Sequence, residues 1–204
     1  MNQDLEDLQV DYVDLMLVHF PANWNGTGGL ELRVQGWKAM ERFYRAGKAR
    51  AIGVSHFCQQ HIQDILDHGT LVPQVNQVEY HVGMGSSGPL ANDYRDFDRK
   101  HNIVFQSFSP LCGPCNTTEL IDGKMVSDIG KKYNKSGVQV SLKWLVQQGI
   151  PVIPKTTSLR HMMMNADLFD FELSKEDMDT LTKAKHPSVS GGGADGTSGD
   201  CKIQ

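Results

Sequence analysis

Several short apolar runs in this chain end in side chains able to meet a ligand. Residues 12–19 (YVDLMLVH) close on an imidazole, His19, two positions before Pro21. Residues 49–54 (ARAIGV) run into the hydroxyl of Ser55, and residues 74–78 carry the amide of Gln77. Residues 103–108 (IVFQSF) deliver the ring of Phe108 with the hydroxyl of Ser109, and residues 151–154 (PVIP) lead to Lys155 and Thr156. An imidazole handles protons near neutrality, a hydroxyl and an amide pair with polar groups, a ring stacks, and an ammonium neutralises an anion. A strand-end Ser or Gln is often only a turn residue, and a lone lysine is usually a solvated charge. The argument therefore lies in the set, which reads as the wall of one shared pocket. A second chemistry is written in Cys112-Gly-Pro-Cys115, the spacing of a thiol redox pair, with Gly-Ile-Pro downstream at 149–151.

These residues need elements to hold them. Each apolar run is short enough for a buried strand, and helical patterns separate the runs. Trp37, Met40 and Tyr44 recur at helical spacing before Gly47, which is suited to a helix stop with positive φ. Ile62, Ile65 and Leu66 mark a helix face before Gly69; Tyr94, Phe97 and His101 mark another. Val138, Leu142, Leu145 and Val146 mark a further helix ending at Gly149, and Ser174 to Asp177 has the form of a capping box opening a closing helix through Met178 and Leu181. About five strands alternating with helices predict a parallel α/β sheet, either doubly wound or a β/α barrel. No Gly-x-Gly-x-x-Gly follows the first strand, which favours the barrel. In that fold binding groups sit at the C-terminal ends of the strands, where His19, Ser55, Gln77, Phe108 and Lys155 fall.

The totals set bounds. The 204 residues are enough for one domain with a substantial core. Lys plus Arg number 20 against 24 Asp plus Glu, a net charge of -4, which argues against nucleic acid as a partner. No apolar run approaches the roughly 20 residues of a membrane span, and the start is acidic where a targeting peptide would be basic, so the expected compartment is the cytoplasm. Four cysteines, scattered, predict reduced thiols rather than a disulfide framework. A metal site on Cys112 and Cys115 is not expected, because no second Cys or His pair stands at ligand spacing nearby. Residues 187–204, rich in Gly and Ser, read as a disordered tail after a domain ending at 186. The last four residues, Cys201-Lys-Ile-Gln, fit a prenylation box only loosely.

Taken in order, YVDLMLVHFP, GKARAIGVSHF, VPQVNQVEYHV, SFSPL and VIPKT resemble successive landmarks of the aldo-keto reductases, over nearly the whole chain to about Leu181. The resemblance implies an incomplete TIM (β/α)8 barrel and NADP(H)-dependent reduction of aldehydes or ketones to alcohols. It implies that His19 orients the substrate carbonyl, and that Ser55 and Gln77 meet the nicotinamide carboxamide. His56 stands where the family usually has Asn. By the same resemblance Phe108, where the family often has Tyr, stacks on the nicotinamide beside Ser109. Lys155, next to Thr156, meets the adenosine 2′-phosphate; His161 occupies the position of the family's phosphate-binding Arg, with Arg160 before it and Asn165 beyond. The family's acid is a Tyr whose pKa is lowered by a Lys paired with an Asp, and these three belong to earlier strands. Of that tetrad only His19 is found here, so the expectation is a barrel portion that lacks its proton donor and leaves strand edges open for a complementing chain. A noncatalytic NADP-binding module and a thiol redox protein using Cys112 and Cys115 are the other readings.

Overall fold

Trp37, Met40 and Phe43 fall on one side of a helix, and all three are buried. That helix, α2 (Gly29–Arg45), carries Arg42 and Arg45 in its last turn, where cations suit the helix dipole, and Gly47 follows at φ +71°. The computed structural model describes residues 1–23, 27–85, 94–185 and 187. In chain order the remaining elements are α1 (Asn2–Leu8), β1 (Val13–Val18), β2 (Ala49–Ser55), α3 (Gln59–His68), β3 (Val75–Glu79), α4 (Tyr94–Lys100), β4 (Val104–Phe108), α5 (Lys124–Tyr133), α6 (Gly137–Val146), β5 (Val152–Ile153), α7 (Leu159–Ala166) and α8 (Lys175–Thr182). The five strands form one sheet in the order β1-β2-β3-β4-β5. Pairing is parallel between β1 and β2, β2 and β3, and β4 and β5: Leu15 lies beside Ala51, Ser55 beside Gln77, Phe108 beside Ile153. Sequential parallel order with intervening helices is the α/β class of an incomplete β/α barrel, as the sequence predicts.

The chain divides into two compact units. One contains Met1–Val78 together with residues 94–105. Its core joins α2 and α3 to β2, with Trp37, Ile52, Val54, Phe57, Ile62 and Ile65 at 1% exposure or less. Burying such side chains contributes about 1.5–3 kcal/mol each. Gly53 is required by close approach, because a Cβ there would run into the Val75 carbonyl oxygen and the Leu17 side chain. Gly69 ends α3 at φ -92°, and what forbids a side chain there is the Ile65 carbonyl oxygen together with the indole of Trp37, each 2.8 Å from where a Cβ would stand. The following turn is clamped to α2. Buried Glu41 accepts from the amides of Thr70 (2.6 Å) and Leu71 (2.8 Å), and Trp37 donates its Nε1–H to the Leu71 carbonyl (2.9 Å).

The other unit contains, among described residues, 79–85, 106–185 and 187. Here α6 is buried almost all round, and its polar side chains bond to backbone, as burial demands. Ser141 donates to the Leu120 carbonyl (2.8 Å) and Lys143 to that of Leu168 (2.9 Å). Ser136 and Gln139 cap the helix reciprocally. At α8, Ser174 accepts from the Asp177 amide (3.1 Å), the cap read from the sequence. Asp177 is itself buried and accepts from Lys132 and the Tyr133 hydroxyl, both at 2.6 Å. Among the described residues no helix is long and apolar enough to cross a membrane. The expected tail, apart from Pro187, and Cys201 lie outside the described residues.

Candidate functional site

Two groups of strand-end residues are built, one in each unit. In the first unit parallel pairing does the positioning. Ser55 closes β2, and its direct register partner Gln77 lies at the middle of β3, which runs on to Glu79 rather than ending near Gln77 as the sequence suggests. The Gln77 carbonyl accepts from the Ser55 hydroxyl (3.0 Å) and from the His56 amide (2.9 Å), so the hydroxyl's remaining capacity is as an acceptor. Ser55 is buried, while Gln77 and His56 are half-buried. His56 sits at φ +62°, a left-handed conformation in which Asn and His are both enriched. That conformation accounts for an Asn-or-His alternative at this position. The imidazole of His19 stands 5.7 Å from that of His56 and tilted 53° to it, with the Phe20 ring also 5.7 Å from His56. His19 is exposed. Its loop is pinned from below, where buried Arg33 bonds Asp64 through Nε (2.8 Å) and the Pro21 carbonyl through Nη1 (3.4 Å).

In the second unit a cavity of about 900 Å³ opens beyond β4 and β5. Phe108, Ser109, Ile153 and Lys155 line it, with Pro110, Leu111 and Cys112 completing much of the wall. The loop after β4 departs from ordinary backbone three times within eight residues: Ser109, Cys112 and Asn116 have φ +47°, +52° and +52°. Left-handed non-glycine residues cost of order 1–3 kcal/mol each and persist where their surroundings hold them. One such hold is covalent, because Cys112 and Cys115 are joined in a disulfide with Cα atoms 5.4 Å apart. Reduced thiols, expected from the cysteine count, are thus not what the structure shows. Just before the loop, at the end of β4, the Ser107 hydroxyl donates to the Tyr80 carbonyl (2.6 Å).

Of the cofactor-side residues singled out in the sequence, the cavity unites Phe108, Ser109 and Lys155, with Cys112 of the thiol pair in the same wall. Thr156 is half-buried and accepts from the Ser158 amide (3.1 Å), which in turn sets Ser158 to cap α7. Arg160 and His161 are exposed in the first turn of α7, and Asn165 is half-buried near its end; none of these lines the cavity. The sequence reading missed His81. This residue is fully buried, and its Nε2 comes within 4.0 Å of the Cys115 sulfur across 34 positions of sequence. Burial pushes its imidazole below the ordinary histidine range, against the opposing pull of the Val82 carbonyl. Only its place in the landmark VPQVNQVEYHV could have drawn attention to it.

Comparison with known proteins covers the same ground. Glyoxal reductase of Bacillus subtilis (strain 168) is 38% identical over 179 residues, which is 88% of this chain and 59% of that protein. The 9,11-endoperoxide prostaglandin H2 reductase of Trypanosoma cruzi (strain CL Brener) is 35% identical over 192 residues, 93% of this chain and 62% of that one. Among solved structures, MGS-M4, an aldo-keto reductase enzyme from a Medee basin deep-sea metagenome library, superposes with a TM-score of 0.80 at 30% identity, covering 94% of this chain and 65% of that one. The chain therefore spans about three-fifths of the length of the curated relatives it matches. The sequence profile of the Aldo/keto reductase family matches residues 1–186, and with the parallel strand order and the relatives above, this chain belongs to that family.

Proposed function

We propose that this chain supplies the cofactor side and the carbonyl-orienting histidine of an NADP(H)-dependent reduction of aldehydes or ketones to alcohols, carried out in the cytoplasm. The observation that carries the reading is the cavity in which a half-buried aromatic ring, Phe108, a hydroxyl, Ser109, and an exposed ammonium, Lys155, share one wall. A ring to stack on and a cation to meet a phosphate are what a nicotinamide dinucleotide phosphate requires. In this reading Lys155 bonds the 2′-phosphate, with Thr156, Arg160, His161 and Asn165 supplying further polar groups. Ser55, His56 and Gln77 pair with the carboxamide, and His19 bonds the substrate carbonyl oxygen. The bound cofactor supplies the hydride; the residues named here bind and orient.

The five tyrosines bear on the proton. Tyr12 lies under the Arg50 guanidinium, Tyr44 packs against the core of the first unit, and Tyr94 is buried at the start of α4. The Tyr80 hydroxyl donates to the Gly85 carbonyl (3.0 Å), and that of Tyr133 bonds Asp177. Each has a structural role, so in this proposal the donor comes from outside the 204 residues, either from a longer polypeptide or from a complementing chain that pairs with an edge of the sheet. Fluorescence titration with NADPH, with Lys155→Ala as control and aldehyde turnover in the same buffer, tests this. Saturable binding weakened about tenfold or more by the substitution, with little turnover, is the expected result. Binding indifferent to Lys155 would remove the phosphate assignment, and turnover at an ordinary enzyme rate would remove the external donor.

A further inference from the structure

His81, Cys112 and Cys115 all belong to the second unit, and one ligand atom from each lies within 4.8 Å of the others. His81 Nδ1 is 2.8 Å from the Val82 carbonyl oxygen. A carbonyl only accepts, so Nδ1 carries the proton and the neutral ring turns the lone pair of Nε2 outward. That lone pair lies on the nitrogen 4.0 Å from the Cys115 sulfur. A histidine bound through one nitrogen while the other donates to a backbone carbonyl is the usual arrangement around a protein-bound metal.

We propose that His81, Cys112 and Cys115 form a three-ligand site for Zn²⁺ when the Cys112–Cys115 disulfide is reduced. Two thiolates and an imidazole are the donors that zinc prefers, whereas magnesium and calcium call for oxygen and an iron–sulfur cluster for four ligands. Reduction comes first: a dithiol gives two electrons and two protons, the S–S bond breaks, two thiols form, and the donor closes into its own disulfide. Zinc then replaces the two thiol protons, which pass to solvent, and binds the two sulfurs and Nε2. The geometry asks for little movement. With ordinary Zn–S and Zn–N bonds, a tetrahedron sets N and S about 3.6 Å apart, some tenths of an ångström inside the observed 4.0 Å. The two sulfurs must part to about 3.8 Å, which rotation about their Cα–Cβ bonds provides across Cα atoms 5.4 Å apart. Three protein ligands leave a fourth position open, and Cys112 lines the cavity that also holds Phe108 and Lys155. The metal would brace the left-handed loop in the reduced protein as the disulfide does in the oxidised one. Nothing in this rests on cofactor binding.

The test uses the full chain, reduced with dithiothreitol, freed of it by anaerobic gel filtration, and titrated with Co²⁺ as a spectroscopic probe and then Zn²⁺. Expected are a thiolate-to-cobalt charge-transfer band and tetrahedral d–d bands that saturate at one equivalent, bleach on adding Zn²⁺, and are absent from the oxidised protein. Cys115→Ser, at a half-exposed position, should remove about half the charge-transfer intensity and weaken binding at least about tenfold. Cys201→Ser should change neither. His81→Gln should keep the charge-transfer intensity while weakening binding; should this buried substitution unfold the chain, the cysteine variants still decide. Absence of a saturating signal, or a signal that survives both Cys112→Ser and Cys115→Ser, overturns the site.

Discussion

The two units hold their candidate site residues by different means. In the first, Ser55 and Gln77 are fixed by the ladder they belong to, and His56 follows directly with its amide on the Gln77 carbonyl. In the second, Phe108 ends a strand but its neighbours in the cavity wall lie on a loop with three left-handed non-glycine residues, closed by a disulfide. Regular pairing sets positions cheaply, since each backbone bond that places a residue also stabilises the sheet. A strained loop sets them at a cost and stays as designed only while its cross-link and packing persist. The first group should therefore fail only when the sheet fails, and the second should be adjustable without unfolding.

The largest effect expected from this contrast is at Gly53. A Cβ at this point of β2 meets the Val75 carbonyl and the Leu17 side chain, so the neighbouring strands must move apart. Gly53→Ala should cost about 3 kcal/mol and Gly53→Val more, read as a drop in the urea midpoint. NADPH binding should fall together with folding rather than before it. A variant that folds normally yet loses binding would show that the ladder is not what positions Ser55 and Gln77.

The strands were legible because their signals are local and doubled. Residues 12–19, 49–54 and 103–108 are apolar runs closed by turn residues, and all three became strands within a residue or so of the reading. Three helices were not legible. In α5 the pattern Val126, Ile129, Tyr133 is broken by Gly130, which reads as a stop; the glycine is there because a Cβ would collide with the Lys135 carbonyl. α7 buries none of its residues and leaves Leu159, Met162 and Met163 at 71%, 55% and 68% exposure, so no periodic buried face exists to be read. α1 buries only Leu5. The candidate site divides in the same way. Strand-end residues could be placed by pattern and resemblance, whereas His81 beside Cys115 is a tertiary contact between residues 34 positions apart that no local pattern encodes.

Next in size is a pair of buried carboxylates, one per unit. Burial works to raise the pKa of Glu41, but the amides of Thr70 and Leu71, the Thr70 hydroxyl and Arg45 together hold it below the ordinary carboxylate range. Asp177 is likewise held low, against burial, by Lys132, Tyr133 and Ser174. A carboxylate with a lowered folded-state pKa adds stability that is fully present above its unfolded value and is lost as pH falls through the folded one. Glu41→Gln and Asp177→Asn should each cost about 1–3 kcal/mol at pH 7, with the gap to the parent closing as pH drops below about 4. Salt separates them. Glu41 is bonded mostly to backbone amides and its gap should be nearly unchanged in 1 M NaCl, whereas Asp177 is paired with the exposed Lys132 and should lose part of its gap.

The smallest effect is the one that tests the ladder-held group most finely. His56 occupies φ +62°, so the backbone there favours Asn, His or Gly and penalises a β-branched residue. His56→Asn should change stability by under about 0.5 kcal/mol, while His56→Val should cost about 1–2 kcal/mol through the same backbone position. If NADPH binding survives His56→Asn and also survives His56→Val at a temperature where both are folded, the left-handed turn positions Ser55 and Gln77 without the ring taking part. If Asn strengthens binding over the parent, the side chain itself meets the ligand and the amide is the better partner. Equal stability losses for Asn and Val would instead mean that contacts of the imidazole with His19 and Phe20, and not the backbone, decide what this position accepts.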